Sequence, residues 1–299
     1  MARFLILVLL VCPLSASGED FQRLSSDAVT VLYPEALAGA ARKTARAYPA
    51  IRADLERTLG WAADFRPTVV VIRETATFRE WAGSEYIVAY AVSDRRVIVM
   101  DYARVNRNAE SLVRTLKHEL CHLLLHHYIP EDRLPRWLDE GVAQWVSDGI
   151  SEIFGTEGDA ALTRAVLADR VIPLSRLTDR FPMERDLLML AYQESRSVVD
   201  YMLREHGRDA VLDILSRLRS GASVDAALTG ALGRDLDGLE AAWRDNLSRH
   251  RTWLRFLAIH LYEILFVLAA AVTVVGFVRK LRRQRAYMDE DEDEDDDEA

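Results

Sequence analysis

The stretch KHELCHLLLHHY, residues 117 to 128, carries two histidines four residues apart, with a glutamate directly after the first. On an α-helix His118 and His122 project about 40° from each other one turn along, so their ring nitrogens can reach one metal ion. Glu119 is turned about 100° from His118, which keeps it off the metal but within reach of a water beside it. This order of residue types suits zinc-dependent hydrolysis, whereas the alternative is an apolar helix with incidental histidines.

The next predicted helix supplies a third candidate ligand. Seventeen residues separate His122 from Glu140, which lies in LPRWLDEGVAQWV. Two histidines and one glutamate leave one zinc position open for water, which is typical of a catalytic rather than a structural site. Asp139 competes for the third position, although Glu140 has the longer reach.

Three other residues of the motif helix are not predicted as ligands. His126 and His127 lie near the carboxyl end of the helix, where positive charge is favourable. Cys121 is interpreted as a small buried hydrophobic residue. The other cysteine, Cys12, is expected to leave with a signal peptide, so no intramolecular disulfide is predicted.

HELCH followed by PRWLDEG resembles the gluzincin metallopeptidases and, within them, the peptidase MA-like family. The similarity extends over about residues 28–248, and its specific part consists of His118, Glu119, His122, Trp137, Leu138, Glu140 and Gly141. The resemblance implies a zincin-like fold and one zinc ion bound by His118, His122 and Glu140. It also implies that Glu119 is the general base for the hydrolysis of a peptide bond.

The resemblance has further implications for the surroundings of the metal. Many gluzincins have an acid four residues after the third ligand that orients the first histidine; this chain has Gln144, whose amide oxygen could still accept a hydrogen bond from a ring nitrogen. Tyr192, in AYQES, resembles the residue that stabilises the oxyanion, and an aromatic packed in a helical core is the alternative.

One segment before the motif helix is a candidate for substrate binding. By similarity to gluzincins, the segment Tyr86 to Met100 supplies an edge strand that pairs with substrate backbone, and an ordinary sheet strand is the equal alternative. The chain lacks the Gly-x-Met-Glu-Asn motif with which gluzincin aminopeptidases hold a free amine. This favours endopeptidase activity.

The elements that must position these residues indicate an α+β fold. Strands are predicted at residues 28–33, 68–72 and 95–101, and a helix from Pro34 to Leu59 closed by Gly60. The motif helix is predicted from Ala109 to Tyr128 with Asn108 as its N-cap, and the next helix follows Pro135 and stops near Gly149. Beyond Ser151 only helical spacing remains. We therefore expect a zincin-like domain with a small N-terminal mixed sheet, the HExxH helix, an all-helical C-terminal half and then one transmembrane helix.

Both ends of the chain carry segments typical of export and membrane anchoring. Residues 1–18 have a basic start, an apolar core and small residues, as in a secretory signal peptide; an uncleaved anchor is the alternative. Residues 256–278 are long and apolar enough to span a bilayer, and a buried core helix is the alternative. The basic run RKLRRQR at 279–285 favours a cytoplasmic location for the segment that follows.

Charge excludes one class of partner. The net charge of −9 comes from ten consecutive acids, Asp289 to Glu298, and the remaining chain is close to +1. This acidic tail is too charged to fold and is interpreted as a solvated end. Since the globular part carries no basic stripe with interleaved aromatics, nucleic acid is not an expected partner.

Together these observations predict five segments: a signal peptide (1–18), a zincin-like α/β catalytic subdomain (19–149), a helical subdomain (150–250), a transmembrane helix (256–278) and a basic then acidic cytoplasmic tail (279–299). The predicted protein is a single-pass zinc metallopeptidase of the cell membrane that cleaves peptide or protein substrates outside the cytoplasm. The competing hypotheses are a catalytically silent binding module of the cell envelope and an envelope protein in which the metal only stabilises the fold. The sequence predicts no particular oligomeric state.

Overall fold

A computed structural model describes residues 20–106, 109–149, 157–168 and 170–296. The predicted signal peptide and the predicted N-cap Asn108 lie outside the described residues. The chain divides into two compact units, Met1–Arg244 and Asp245–Ala299. The motif residues all belong to the first unit.

Five strands form one mixed sheet in the order β1-β2-β3-β5-β4. The strands are β1 (Phe21–Ser25), β2 (Thr30–Pro34), β3 (Thr68–Ile72), β4 (Ala89–Val92) and β5 (Val97–Asp101). The central pairs β2–β3 and β3–β5 are parallel, whereas β1 and β4 run antiparallel to their neighbours. Strands β3 and β5 are rich in β-branched residues and almost wholly buried, as parallel strands covered on both faces are.

Helices form the rest of the first unit. They are α1 (Ala38–Leu59), α2 (Thr75–Ala82), α3 (Tyr102–Val105), α4 (Ala109–Tyr128), α5 (Arg136–Ser147), α6 (Glu157–Ala168), α7 (Arg185–Arg219), α8 (Val224–Leu232) and α9 (Leu236–Asp296), the last of which continues into the second unit. Short 3₁₀ turns occur at Glu35–Leu37, Ser93–Arg95 and Leu174–Leu177. Helix α7 is interrupted at Gly207, which has a φ of 79°.

The α+β fold class is confirmed. Strand β3 and helix α4 have the predicted bounds. Among the described residues beyond Gly149 there are helices and no strands. Strand β4, which lies within the segment from Tyr86 to Met100, is at the edge of the sheet.

An apolar stripe holds α4 in the core and sets the direction of its histidines. Leu112, Leu116, Leu120 and Leu124, spaced by four residues, are fully buried. On a helix this spacing forms one continuous stripe, so the histidines of HELCH must project from a different side. Helix α4 packs against α1, β4, β5 and α5.

Helix α5 is buried on nearly its whole circumference, which requires a close approach to α7. Trp137 and Leu138 are at most 1% exposed. At Gly141 a Cβ atom would overlap the backbone carbonyl oxygen of Ser195 and the side chain of Val199, both on α7. The glycine of the motif therefore has a packing role, because it allows the two helices to touch.

In the second unit, the segment His260–Lys280 of α9 is long and apolar enough to cross a membrane, with a mean hydropathy of 2.3. Its apolar side chains include Phe266, Val272 and Phe277, which are at least 60% exposed. This segment overlaps the predicted transmembrane helix at residues 256–278.

Candidate metal centre

Helices α4 and α5 bring His118, His122 and Glu140 together. The two Nε2 atoms are 3.1 Å apart. Each lies 3.5 Å from Oε2 of Glu140. One ligand atom from each of the three side chains falls within 4.8 Å of the others, and among the described residues no other group of His, Cys, Asp and Glu does so. The ligand atoms of the three residues predicted from the sequence thus converge on one position.

The donor atoms fit a zinc ion. Glu140 is 2% exposed, yet its Oε2 atom has no hydrogen-bond partner among the described residues. A buried carboxylate oxygen without a partner costs several kcal/mol, on the order of a lost charged hydrogen bond, unless a cation binds it. Two imidazole nitrogens and one carboxylate oxygen are ordinary zinc ligands.

The charges around the cluster favour a cation. Burial by itself would lower the pKa of His122, but the carboxylates of Asp139 and Glu140 raise it well above its usual value. Burial would raise the pKa of Glu140, but Arg136 and His122 hold it well below its usual value. The site therefore attracts positive charge, which a bound metal would supply with its ligands deprotonated.

Asp139 holds the second histidine and is not a candidate ligand. Its Oδ1 lies 2.7 Å from Nδ1 of His122, and its Oδ2 lies 3.1 Å from Nε2 of His126. The contact through Nδ1 leaves Nε2 of His122 directed at the cluster. The sequence indicated Asp139 only as a competing ligand, so this role was not predicted. The sequence feature that could have indicated it is the position of Asp139 directly before Glu140, about 100° around α5.

Arg136 is a second residue whose role at the site was not predicted from the sequence. It lies one turn before Glu140 on α5, and its Nη2 is 2.7 Å from Oε1 of Glu140. Its positive charge also acts on the side chain of Tyr192 and lowers the pKa of that hydroxyl, against the larger effect of burial. The available signal was its spacing of four residues from Glu140, which puts oppositely charged side chains side by side on a helix.

The expectation for Gln144 is wrong. Its side-chain nitrogen donates a hydrogen bond to the backbone oxygen of Tyr192 at 3.1 Å. Its Oε1 atom has no hydrogen-bond partner within the part of the chain that the structure describes, so it accepts none from a ring nitrogen there. Gln144 therefore holds α7 against α5 at the level of Tyr192 instead of orienting His118.

Tyr192 lies beside the cluster and is 6% exposed. Burial raises the pKa of its hydroxyl, and the negative charges of Glu140 and Glu119 add to this, so the group stays protonated. The ring of Phe181 packs edge-on against it, with 5.2 Å between centroids. The structure thus places Tyr192 close enough to Glu140 and Glu119 for their charges to act on its hydroxyl.

Glu119 lines a small cleft between α4 and the edge strand. The lining residues of this cleft are Val88, Ala89, Arg114, Thr115, His118, Glu119 and Gly149. Burial raises the pKa of Glu119 above its usual value, although the two histidines of the cluster oppose this. A carboxylate with a raised pKa, beside a metal cluster and open to a cleft, has the properties of a general base.

The remaining residues of the motif helix stay outside the cluster. His126 contacts Asp139, and His127 pairs with Asp64, with 2.8 Å between Nε2 and Oδ1. Cys121 is fully buried and its thiol is free. Burial raises the pKa of that thiol well above its usual value, so it is inert.

The sequence profile of a family described as the Peptidase MA superfamily matches residues 71–249. This range includes α4, α5 and the whole of α7. No curated protein sequence matches the chain.

Three solved structures resemble this chain at low sequence identity. Aminopeptidase A of Legionella pneumophila in complex with aspartic acid is 14% identical, with a TM-score of 0.47 over 75% of this chain and 28% of the other. Yeast LTA4 hydrolase in complex with bestatin is 9% identical, with a TM-score of 0.48 over 71% and 36%. The M1 zinc metallopeptidase of Deinococcus radiodurans is 16% identical, with a TM-score of 0.44 over 75% and 51%. The chain matches about half or less of the length of each.

Proposed function

The chain belongs to the Peptidase MA superfamily, whose profile matches residues 71–249, and on that premise we propose that it is a zinc metallopeptidase that hydrolyses peptide bonds in peptide or protein substrates. One observation carries the proposal. His118, His122 and Glu140 converge from two helices, and a buried oxygen of Glu140 has no hydrogen-bond partner among the described residues.

One zinc ion would be held by these three side chains. When bound, zinc acts as a Lewis acid toward a carbonyl oxygen and makes water more acidic. The chain itself contributes the orientation of His122 through Asp139 and the pairing of Glu140 with Arg136.

Glu119 would move the proton. It lies in the cleft next to His118 and is 5% exposed. Because burial raises its pKa above the usual value, Glu119 is a stronger base and can accept a proton from the attacking water and pass it to the leaving amine.

Tyr192 would stabilise the oxyanion that forms during peptide hydrolysis. A guanidinium group can only donate hydrogen bonds, so toward Arg136 the hydroxyl oxygen of Tyr192 can act only as an acceptor. A neighbouring cation makes the O–H group of Tyr192 a stronger hydrogen-bond donor. A donor directed at a developing negative charge supplies transition-state stabilisation.

The substrate would bind along β4. This strand is antiparallel to β5 on one side and is the last of the sheet on the other. The first residue of the strand, Ala89, lines the cleft together with His118 and Glu119. A substrate in extended conformation could add to this edge by backbone hydrogen bonds, which suits internal bonds of a protein and therefore endopeptidase activity.

We further propose that the chain is anchored in the cell membrane by its C-terminal helix, with the catalytic domain outside the cytoplasm. The segment His260–Lys280 supports the anchor, and the basic run at 279–285 supports a cytoplasmic tail. In cells that produce the full chain, external protease should degrade the catalytic domain and spare a tag placed after Ala299. Protection of the catalytic domain would contradict this orientation.

The activity is tested with the detergent-solubilised full chain and an unstructured protein as substrate. We expect cleavage that a chelator abolishes and added zinc restores. Glu119→Gln should remove turnover and leave zinc binding intact, because Glu119 is not a ligand. Glu80→Gln, an exposed change on α2, is the matched control and should have no effect.

Two outcomes would contradict the proposal that the chain is a peptidase. Zinc binding without turnover of any protein or peptide substrate would favour the silent binding module. A zinc requirement for thermal stability alone, with Glu119→Gln indistinguishable from the natural chain, would favour a structural metal.

A further inference from the structure

Arg136 lies next to Glu140, a candidate metal ligand, and near Tyr192, the candidate oxyanion donor. Its guanidinium pairs with Oε1 of Glu140 at 2.7 Å and lies 5.8 Å from the centroid of the Phe181 ring, which packs against Tyr192. We propose that Arg136 is a positioning residue with two effects: it restricts Glu140 to one ligating oxygen, and it orients the hydroxyl of Tyr192 toward the oxyanion. This inference rests on the proposed function.

The first effect follows from the different surroundings of the two oxygens of Glu140. Oε1 is engaged by Arg136, whereas Oε2 lies 3.5 Å from both Nε2 atoms of His118 and His122. Oε2 has no hydrogen-bond partner in the described part of the chain. A carboxylate whose second oxygen is held by a guanidinium at hydrogen-bond distance offers a metal one oxygen. Such a carboxylate would also donate less charge to a metal, since the guanidinium competes for that charge, and a bound metal would therefore be a stronger Lewis acid.

The second effect follows from how Arg136 is held. Its backbone N–H donates to the carbonyl oxygen of Thr178 at 2.7 Å. Its guanidinium lies 5.8 Å from the centroid of the Phe181 ring, which packs edge-on against Tyr192. The segment that precedes α7 therefore fixes the guanidinium from a second direction. A planar group with five donors can engage Glu140 and Tyr192 at once, which a lysine ammonium on a flexible stem does poorly.

Arg136 is also reachable from solvent, because its side chain is 45% exposed while that of Glu140 is 2% exposed. Substitution can therefore remove the charge without opening the core. This makes Arg136→Gln and Arg136→Lys informative variants. The matched control is Arg180→Gln, an exposed arginine on the segment that precedes α7.

The effect on Glu140 is measured without turnover, with Co²⁺ in place of zinc. The visible absorption of bound Co²⁺ weakens when it gains a ligand. In Arg136→Gln both oxygens of Glu140 become available, so we expect a weaker absorption band and an affinity for Co²⁺ that is equal to or higher than that of the natural chain. Arg136→Lys should keep the natural spectrum. An unchanged spectrum in Arg136→Gln, or an affinity that falls together with thermal stability, would overturn this effect.

The effect on Tyr192 is measured by a double-mutant cycle with Tyr192→Phe. We expect Arg136→Gln and Arg136→Lys to lower kcat roughly 10- to 100-fold with little change in KM, in the range of other residues that orient a metal site. In the Tyr192→Phe background the same changes should lower kcat much less, because the hydroxyl on which they act is absent. Additive losses in the cycle would overturn this effect.

The two measurements separate this inference from the proposed function. If the natural chain binds Co²⁺ but cleaves no substrate, the peptidase proposal fails, and the Co²⁺ spectra still decide whether Arg136 restricts Glu140. If Glu119→Gln abolishes cleavage as expected but Arg136→Gln changes neither spectrum nor kcat, the peptidase stands and the inference on Arg136 fails.

Discussion

Nδ1 of His122 lies 2.7 Å from Oδ1 of Asp139, a residue on the neighbouring helix and directly before the third candidate ligand. One turn of α5 thus supplies both a candidate ligand, Glu140, and the carboxylate that orients another ligand. Because Nδ1 is engaged, the ring of His122 must present Nε2 to the metal. The relation also couples the two helices, since a shift of α5 would move both carboxylates together.

Asp139→Ala is therefore expected to lower zinc affinity roughly 10- to 100-fold, as is typical when the partner of a ligating histidine is removed. Affinity is measured by competition with a coloured chelator. Asp139→Asn should lose less, because the amide oxygen can still accept from Nδ1. The control is Asp132→Asn, an exposed change just before α5. An affinity unaffected by Asp139→Ala would mean that His122 is oriented by packing alone.

Tyr192→Phe tests the oxyanion donor. We expect kcat to fall about 10²- to 10³-fold, the usual cost of removing one such donor, with KM and zinc affinity nearly unchanged. Steady-state kinetics on a short fluorogenic peptide give both constants. A loss confined to thermal stability would show instead that Tyr192 only fills the core against Phe181.

Gly141→Ala tests the close approach of α5 and α7. The added methyl group would overlap the carbonyl oxygen of Ser195, and backbone cannot move aside cheaply. We expect a loss of about 1–3 kcal/mol in the free energy of unfolding, the common cost of overpacking a core. Gly39→Ala on α1, where a Cβ meets nothing within 4 Å, is the matched control and should be neutral or stabilising. Equal effects of the two changes in denaturant unfolding would refute the packing role of Gly141.

The raised pKa of Glu194, a residue of α7, predicts how the stability of the fold depends on pH. Burial, with a smaller effect of Glu240, raises the pKa of Glu194 from 4.5 to about 8, against the hydrogen bond from the Ile172 N–H and the charge of Arg244. Between these two values the unfolded chain has released the proton while the folded chain still holds it. Stability should therefore fall as pH rises through this window, by about 1 kcal/mol per pH unit, and level off above it.

Glu194→Gln should remove this pH dependence, since an amide stays neutral. The melting temperatures of the natural chain and the variant are compared at pH 5.5 and 8.5, and the difference between them isolates Glu194 from other groups that titrate in the same range. Glu205→Gln, an exposed change on the same helix, should retain the natural pH dependence. A variant that loses stability with pH as steeply as the natural chain would contradict a buried, neutral Glu194.

Much of the fold follows from local pattern. The bounds of β3 and α4 were predicted correctly, because a β-branched run and the residues that begin and end a helix are each local signals within a few residues of the chain. The short strand β1 and the helix α2 were not predicted. Their sequences carry weak periodicity, and their stability comes from pairing with β2 and from burial of Phe78 against the sheet.

By itself, the sequence determined which side chains could share a metal, since HExxH on a helix sets the direction of His118 and His122, and a glutamate on the following helix completes the set. Only the tertiary structure decided the roles of the residues around them. Asp139 became the partner of His122, Arg136 the partner of Glu140, and Gln144 a support for α7. These contacts depend on the distance of α5 from α4 and α7 and on the rotation of α5 about its own axis. That packing arises from many buried side chains acting together, and no local spacing encodes it.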